Sequence, residues 1–323
     1  MNTNISEDVE TEIYDIYQDE SKEDGYWYGF LLVPQRTRQY LLDVLNKARA
    51  NTDYANEIHY HKLVGTALKA KSSKSVIIRS WISIGIAALQ QQKFDKYKSV
   101  AFLGKYRNGP PQYEFLKPIR CKFILLRAVN SFNDMYPEID PLKRLEIVFS
   151  MGLTGGLNFF TDSHNKIMID KIFIDGDEQY AGEYHRKLDK QFILNRVKSR
   201  INTNVYFSKT SQIIAQDSNH HKIDYTQKTE DSYLLQLCDI LIGGIRFCWL
   251  GDNYKHKNKV AKRIISSPCQ ILLDRTNSNF IQRQNSRFYK GFTLSDACIE
   301  NDIWHFRPMI SQLTVDSKPL FLI

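Results

Sequence analysis

Apolar Ile and Tyr pairs separated by single polar residues run along EIYDIYQDES (12–21), which reads as a strand rich in Ile and Tyr that closes on Asp19-Glu20-Ser21. KEDG (22–25) supplies a turn. YWYGFLLVP (26–34) reads as a second strand stopped by Pro34, so the pair predicts a hairpin. Tyr40, Leu41, Val44, Leu45 and Ala48 then recur at helical spacing within 35–50. NEIHYHKL (56–63) fits a short strand and a short helix alike. Residues 75–92 read as a buried helix, 97–106 as a strand broken by NGPP (108–111), and 114–135 as a helix with Ile124, Leu125, Ala128 and Phe132 on one face. Another helix runs through LKRLEIVFS (142–150), and GLTGG (152–156) reads as a loop. A strand over 166–175, a basic helix over 185–201, a strand over 204–214 and a polar loop over 215–230 follow. A long apolar helix (232–250), a helix over 257–274 and a polar, aromatic terminal segment complete the pattern.

Leading strands followed by strands alternating with helices predict a mixed-sheet α/β or α+β fold, a sheet flanked by helices. Residues 112–160 read as a helical insertion in a domain spanning 1–250, and 251–323 as an extension packed on that core. There is no internal repeat and no low-complexity tract.

Four acids interrupt this pattern: Asp19, Glu57, Asp175 and Asp239. A buried carboxylate is costly unless it holds a metal, a proton or a cation, so acids drawn from separated segments are raw material for a divalent-metal site. In the helix 232–250, Ser232, Gln236, Asp239 and Gly243 follow one another at i, i+4, i+7 and i+11 and form one narrow polar stripe on an otherwise apolar helix. That stripe is expected to face a cleft, and Gly243 and Gly244 to let backbone or ligand come close. The plain alternative is a salt bridge from Asp239 to a core Arg or Lys. Asp231 at the helix start is most simply an N-cap.

In 166–175, alternation puts Ile169, Lys171, Phe173 and Asp175 on one face and Asp170 on the other. Asp175 ends its strand before Gly176, where α/β sheets place sites and where Asp-Gly is also ordinary turn chemistry. Asp19 and Glu20 point to opposite faces, so only one of them can share a cleft with Asp175, and the pattern leaves open which. Glu57, His59 and His61 line up if EIHYH is extended. Two histidines so spaced suit a transition metal, but no third His or Cys ligand lies near, which argues against zinc.

Composition changes the picture little: 42% hydrophobic and 25% charged residues are those of an ordinary globular chain. The charge is more informative. Net charge is +8, yet residues 1–24 hold nine acids against Lys22, which leaves +16 over the remainder. A basic body around acidic strand ends suits a polyanion such as nucleic acid; a solvated Lys-rich surface is the bland alternative. The five cysteines form no CxxC pair and no Cys/His zinc spacing, which fits a reducing cytoplasm. No signal peptide is visible, and the apolar stretch 234–250 contains Asp239 and Arg246, so a membrane span is not expected.

The order of these pieces resembles the family called domain of unknown function 3800. The matching elements are Tyr17-Gln18-Asp19-Glu20-Ser21 at the end of the first strand, the glycine-containing strand YWYGFLLV, Glu57-Ile58-His59 with Lys62 close behind, Asp175 at a later strand end, and Asp231-Ser232 with Gln236-Leu237-Cys238-Asp239. Lys22 and Cys238 depart from the Gly and Ala usual there. The resemblance spans roughly 12–250 and implies a ribonuclease H-like fold and, by analogy, a metal-dependent nuclease. It implies that Asp19, Glu57, Asp175 and Asp239, with Glu20 as the alternate to Asp19, bind two Mg²⁺ or Mn²⁺ ions about 4 Å apart that serve phosphodiester hydrolysis. Ser21, His59, Lys62, Ser232 and Gln236 are then supporting groups or phosphate contacts. Lys62 and the basic helix (Arg186, Lys187, Lys190, Arg196, Lys198, Arg200) could follow a nucleic-acid backbone. RNA or DNA is the implied substrate, within a bacterial defence or mobile-element system that could supply protein partners. The rival reading is a non-catalytic nucleic-acid-binding or interaction protein on the same fold.

Overall fold

A computed structural model describes residues 11–21, 25–50, 52, 54, 56–63, 72–89, 120–128, 141–158, 166–175, 188–201, 204–216, 231–254, 259–270, 272–273, 291–300 and 303–308. In chain order the elements are β1 (Thr11–Ser21), β2 (Tyr26–Pro34), α1 (Gln35–Ala50), α2 (Ser73–Leu89), β3 (Lys122–Ala128), α3 (Pro141–Asn158), β4 (Lys166–Asp175), α4 (Lys190–Lys198), β5 (Val205–Gln216), α5 (Asp231–Leu250), α6 (Lys259–Ser266), β6 (Phe292–Glu300) and β7 (Ile303–Pro308). Seven strands make one mixed sheet in the order β5-β4-β1-β2-β3-β6-β7. β2 pairs antiparallel with both β1 and β3. β4 joins parallel to β1 and β5 parallel to β4. On the other side β6 joins parallel to β3, and β7 returns antiparallel to β6.

Both faces of the sheet are covered, which is why its strands are rich in apolar residues rather than cleanly alternating. Tyr17, Trp27, Leu31, Val33, Phe123 and Leu125 face one core, shared with Trp81 of α2 and Leu237, Leu241 and Ile245 of α5. Ile16, Phe30, Leu32 and Ile124 face the other, shared with Phe149, Leu153 and Leu157 of α3 and Ile193 and Val197 of α4. Trp27, Trp81, Phe30 and Phe123 are wholly buried, and truncating such a side chain to Ala costs about 3–5 kcal/mol. α5 is long and apolar enough to cross a membrane, but 89% of it is buried inside the molecule, so it is a core helix.

Gly29 of β2 lets α5 lie close to the sheet, since a Cβ there would stand 2.6 Å from Ile242 Cγ1. The hairpin, α1, the start of the 75–92 helix, and the 166–175, 204–214 and 232–250 elements form as the pattern predicts. Six expectations change. Residues 122–128, read as helix, are a central strand. A short apolar run such as FILL fits either period, and here both of its faces are buried. The stretch 112–160 thus contributes a strand and α3 to the sheet and its cover, rather than a helical insertion. GLTGG lies inside α3, because its glycines are contact points: a Cβ on Gly152 would meet Phe30 at 2.6 Å and one on Gly156 would meet Ile124 at 2.2 Å.

The helix over 257–274 is shorter, with α6 ending at Ser266 in a 3₁₀ turn around Pro268. The terminal segment contributes β6 and β7 to the sheet. Alternation along β4 also fails at one point. A bulge between Ile169 and Lys171 puts Ile169 in the core under α3, whereas Phe173 faces α5. The 97–106 strand, NGPP, and the greater part of the 215–230 loop lie outside the described residues.

Candidate functional site

Tyr17 and Phe173 stack at 4.9 Å on the face that α5 covers. Gln18 pairs with Ile174 across β1 and β4. Two residues beyond the stacked rings, positions 19 and 175 therefore fall on neighbouring strand ends and on the same face. The side chain of Asp175 lies outside the described residues. Asp19 is opposite Gly29, and Gly29 touches Ile242, three residues after Asp239, so α5 crosses the sheet at this end. Asp19 Oδ1 accepts from the backbone N–H of Glu20 at 2.7 Å. Glu20 belongs to the other face with Tyr28, whose hydroxyl pKa is pushed up by burial and then by the Glu20 charge. Between the two candidates left open by the pattern, Asp19 is the one on the α5 side.

Cys238 links the strand end to the helix. Its thiol lies 3.4 Å from the carbonyl oxygen of Tyr17. Burial first, then the charge of Asp19 and, more weakly, that of Asp239 raise its pKa well above the ordinary value. The Cys238–Tyr17 contact brings the helix turn that carries Asp239 against the strand two residues before Asp19.

The polar stripe of α5 is occupied by the segment 57–60. Gln236 Oε1 accepts from Ile58 N–H at 3.1 Å and Asp239 Oδ2 from Tyr60 N–H at 2.7 Å. Alternate amides of an extended segment are thereby bound by helix side chains, as a neighbouring strand would bind them. The stripe therefore faces this segment and not an open cleft, and Ser232 and Gln236 are buried. The glycine pair is filled by side chains rather than a ligand: a Cβ on Gly243 would stand 2.0 Å from Tyr60 Cγ, and one on Gly244 would stand 2.6 Å from Cys269 Sγ. Further hydrogen bonds reach the segment from Arg49 Nη2 to the carbonyl of Asn56 at 2.6 Å, from Tyr54 OH to that of Glu57 at 3.2 Å and from Lys74 Nζ to that of Lys62 at 3.1 Å.

This docking turns Glu57 and His59 toward Asp239. His59 Nε2 contacts Glu57 Oε1 directly, and its Nδ1 lies 3.7 Å from Asp239 Oδ2. Burial alone would lower the imidazole pKa, but the hydrogen bonds and charges of Asp239 and Glu57 outweigh it and raise it to about 9. At neutral pH an imidazolium therefore stands between two carboxylates. Lys62 Nζ adds a positive charge 3.8 Å from Glu57 Oε2. His61 is exposed, with its ring 5.3 Å from that of His59. No core Arg or Lys pairs with Asp239 among the contacts of the described residues; its partners there are His59 and Tyr60.

Among the described residues, no three or more His, Cys, Asp or Glu side chains are arranged to hold a metal ion. The chemistry of the group nevertheless suits a cation. Glu57 and Asp239 already flank the His59 cation, their oxygens are hard donors, and the ends of β1 and β4 add two more acidic positions.

Three neighbouring residues carry no signal that the acid pattern alone picks out. Arg246 is buried and donates to the Ser21 hydroxyl next to Asp19; its spacing of seven from Asp239 is the clue that it extends the same stripe. Tyr60 and Lys262 become visible only in three dimensions. The basic helix shortens to α4, capped by the Asp189 side chain on Phe192 N–H, and packs on the face opposite α5, so it does not line this site. Lys190 is drawn to the Ser211 carbonyl. Cys121, Cys238, Cys248 and Cys269 are buried thiols that form no disulfide. Neither protein-family models nor curated proteins give a match to this chain.

Proposed function

We propose that this chain is a divalent-metal-dependent nuclease that hydrolyses phosphodiester bonds of RNA or DNA on a ribonuclease H-like fold. The observation that carries this reading is the gathering of acids from separated segments at one end of the sheet beneath α5: Asp19 at the end of β1, position 175 at the end of β4, and Glu57 and Asp239 around His59. The antiparallel β1-β2-β3 arrangement with β4 and β5 added parallel to β1 supports the fold assignment, as does the resemblance to domain of unknown function 3800.

In this reading Asp19, Glu57, Asp175 and Asp239 hold Mg²⁺ or Mn²⁺. Bound there, the ions would supply water activation and charge stabilisation at the leaving oxygen. The protein's own part is positional. Asp239 is oriented by Tyr60 N–H, Gln236 fixes the backbone beside Glu57, and Ser21 is held by Arg246. His59 neutralises Glu57 and Asp239 when no other cation is bound, which lowers the repulsion of a crowded acidic group. Lys62, exposed beside Glu57, is placed to meet a phosphate.

The same His59 and Lys62 contacts favour a second reading, a non-catalytic nucleic-acid-binding protein whose acids are neutralised by its own cations. A Mn²⁺ titration of cleavage on short single-stranded, duplex and hybrid substrates separates the two. Metal-stimulated cleavage supports the nuclease. Binding with a steep salt dependence and no cleavage at any metal concentration supports the second reading.

A further inference from the structure

Tyr60 joins the acidic group to a part of the chain that carries none of the acids. Its amide holds Asp239 Oδ2 at 2.7 Å, and its ring fills the notch over Gly243. At the far end its hydroxyl meets Ser266 Oγ of α6 at 2.6 Å. Lys262, also on α6 and wholly buried, places Nζ 4.9 Å from the centre of the same ring and donates to Tyr254 OH at 2.8 Å. Lys262 thus packs against the Tyr60 ring and ties it through a hydrogen bond to Tyr254, which holds the Tyr60 ring in its notch.

We propose that Tyr60, clamped by Lys262 and Ser266, is a positioning residue of the acidic site, so that α6 sets where Asp239 and Glu57 stand. This inference rests on the cation-binding reading above. The reasoning is mechanical. Tyr60 is rigid between its amide and its hydroxyl, so loosening the hydroxyl end lets the ring leave the notch. The amide then withdraws from Asp239, and Glu57 and His59, on the same extended segment, shift with it. Groups that orient metal ligands in this way commonly alter affinity far more than their distance suggests.

The test is Mn²⁺ binding to the full chain, read from the electron paramagnetic resonance signal of the free ion, well below each variant's unfolding midpoint. Ser266→Ala and Lys262→Met are each expected to weaken Mn²⁺ binding by about tenfold, and Ser266→Thr, which keeps a hydroxyl, to restore it. A clamp with a merely structural role lowers the unfolding midpoint and leaves the affinity of the folded protein unchanged; folded Ser266→Ala with wild-type affinity overturns the inference alone. Should Lys262→Met not fold, Ser266→Ala removes a single hydroxyl and carries the test. Wild-type protein that binds no Mn²⁺ removes the metal reading and this inference together.

Discussion

The backbone N–H of Tyr60 donates to Asp239 Oδ2 across 2.7 Å, so the carboxylate at the centre of the acidic group is also a docking point for the segment that carries Glu57 and His59. Asp239→Ala leaves that largely buried amide without its acceptor and should cost about 1–3 kcal/mol. Asp239→Asn keeps an oxygen in place and should lose less, while giving up the charge that faces His59. Urea unfolding of both variants decides the matter. Equal losses would show that charge, rather than the docking bond, is what Asp239 contributes to stability.

His59 makes stability depend on pH in a defined direction. Its pKa is raised from 6.5 to about 9, because hydrogen bonds and charges from Asp239 and Glu57 outweigh burial. The folded state thus binds the proton more tightly than the unfolded chain. The resulting stabilisation is complete below pH 6.5 and fades as pH rises through about 9. Lys122, whose ammonium is disfavoured by burial, acts in the opposite sense. The quantity to read is therefore the difference between wild type and His59→Gln. Urea midpoints should lie furthest apart near pH 6 and converge as pH passes about 9; a difference independent of pH would contradict the imidazolium bridge.

Gly156 tests the helix–sheet contact that replaced a predicted loop. Helix propensity favours Ala over Gly by about 1 kcal/mol. A Cβ at this position would, however, stand 2.2 Å from Ile124 Cδ1, and overpacking of this kind costs about 1–3 kcal/mol. Gly156→Ala should therefore lower the thermal midpoint despite its better propensity. A raised midpoint would mean that α3 and β3 are less closely packed than described.

Much of this architecture was legible along the chain where one physical signal acted alone. β1 and β2 carry runs rich in Ile, Tyr, Leu and Val, a turn and a terminal proline, and α5 carries a long apolar helix with one polar stripe. The signal failed where two structures satisfy the same pattern. FILL in β3 is apolar at every position, so burial on both faces erased the period that separates strand from helix. GLTGG looks like a turn, but Gly152 and Gly156 are selected by contact with Phe30 and Ile124 from distant strands. The bulge at Asp170 shifted the faces of β4 for a reason outside its own sequence, namely pairing with β1 and β5.

The site divides in the same way. Asp239 was marked by its place in the stripe, and the stripe's partner was not, because the docking of 57–60 is a tertiary event. The choice of Asp19 over Glu20 needed the register of β1 against β4 and the side on which α5 lies. Tyr60 and Lys262 had no local mark at all. An aromatic residue and a lysine are ordinary in their segments until Gly243 and Ser266 are brought against them.

Asp19→Asn gives the most direct measure of the central claim, with Mn²⁺-dependent cleavage and thermal unfolding recorded on the same preparation. A carboxylate that serves a cation site is a source of repulsion in its absence, so the variant should lose cleavage while its unfolding midpoint stays equal or rises. A midpoint drop equivalent to about 3 kcal/mol or more, the cost of breaking a structural ion pair, or cleavage that survives the substitution, would contradict the account.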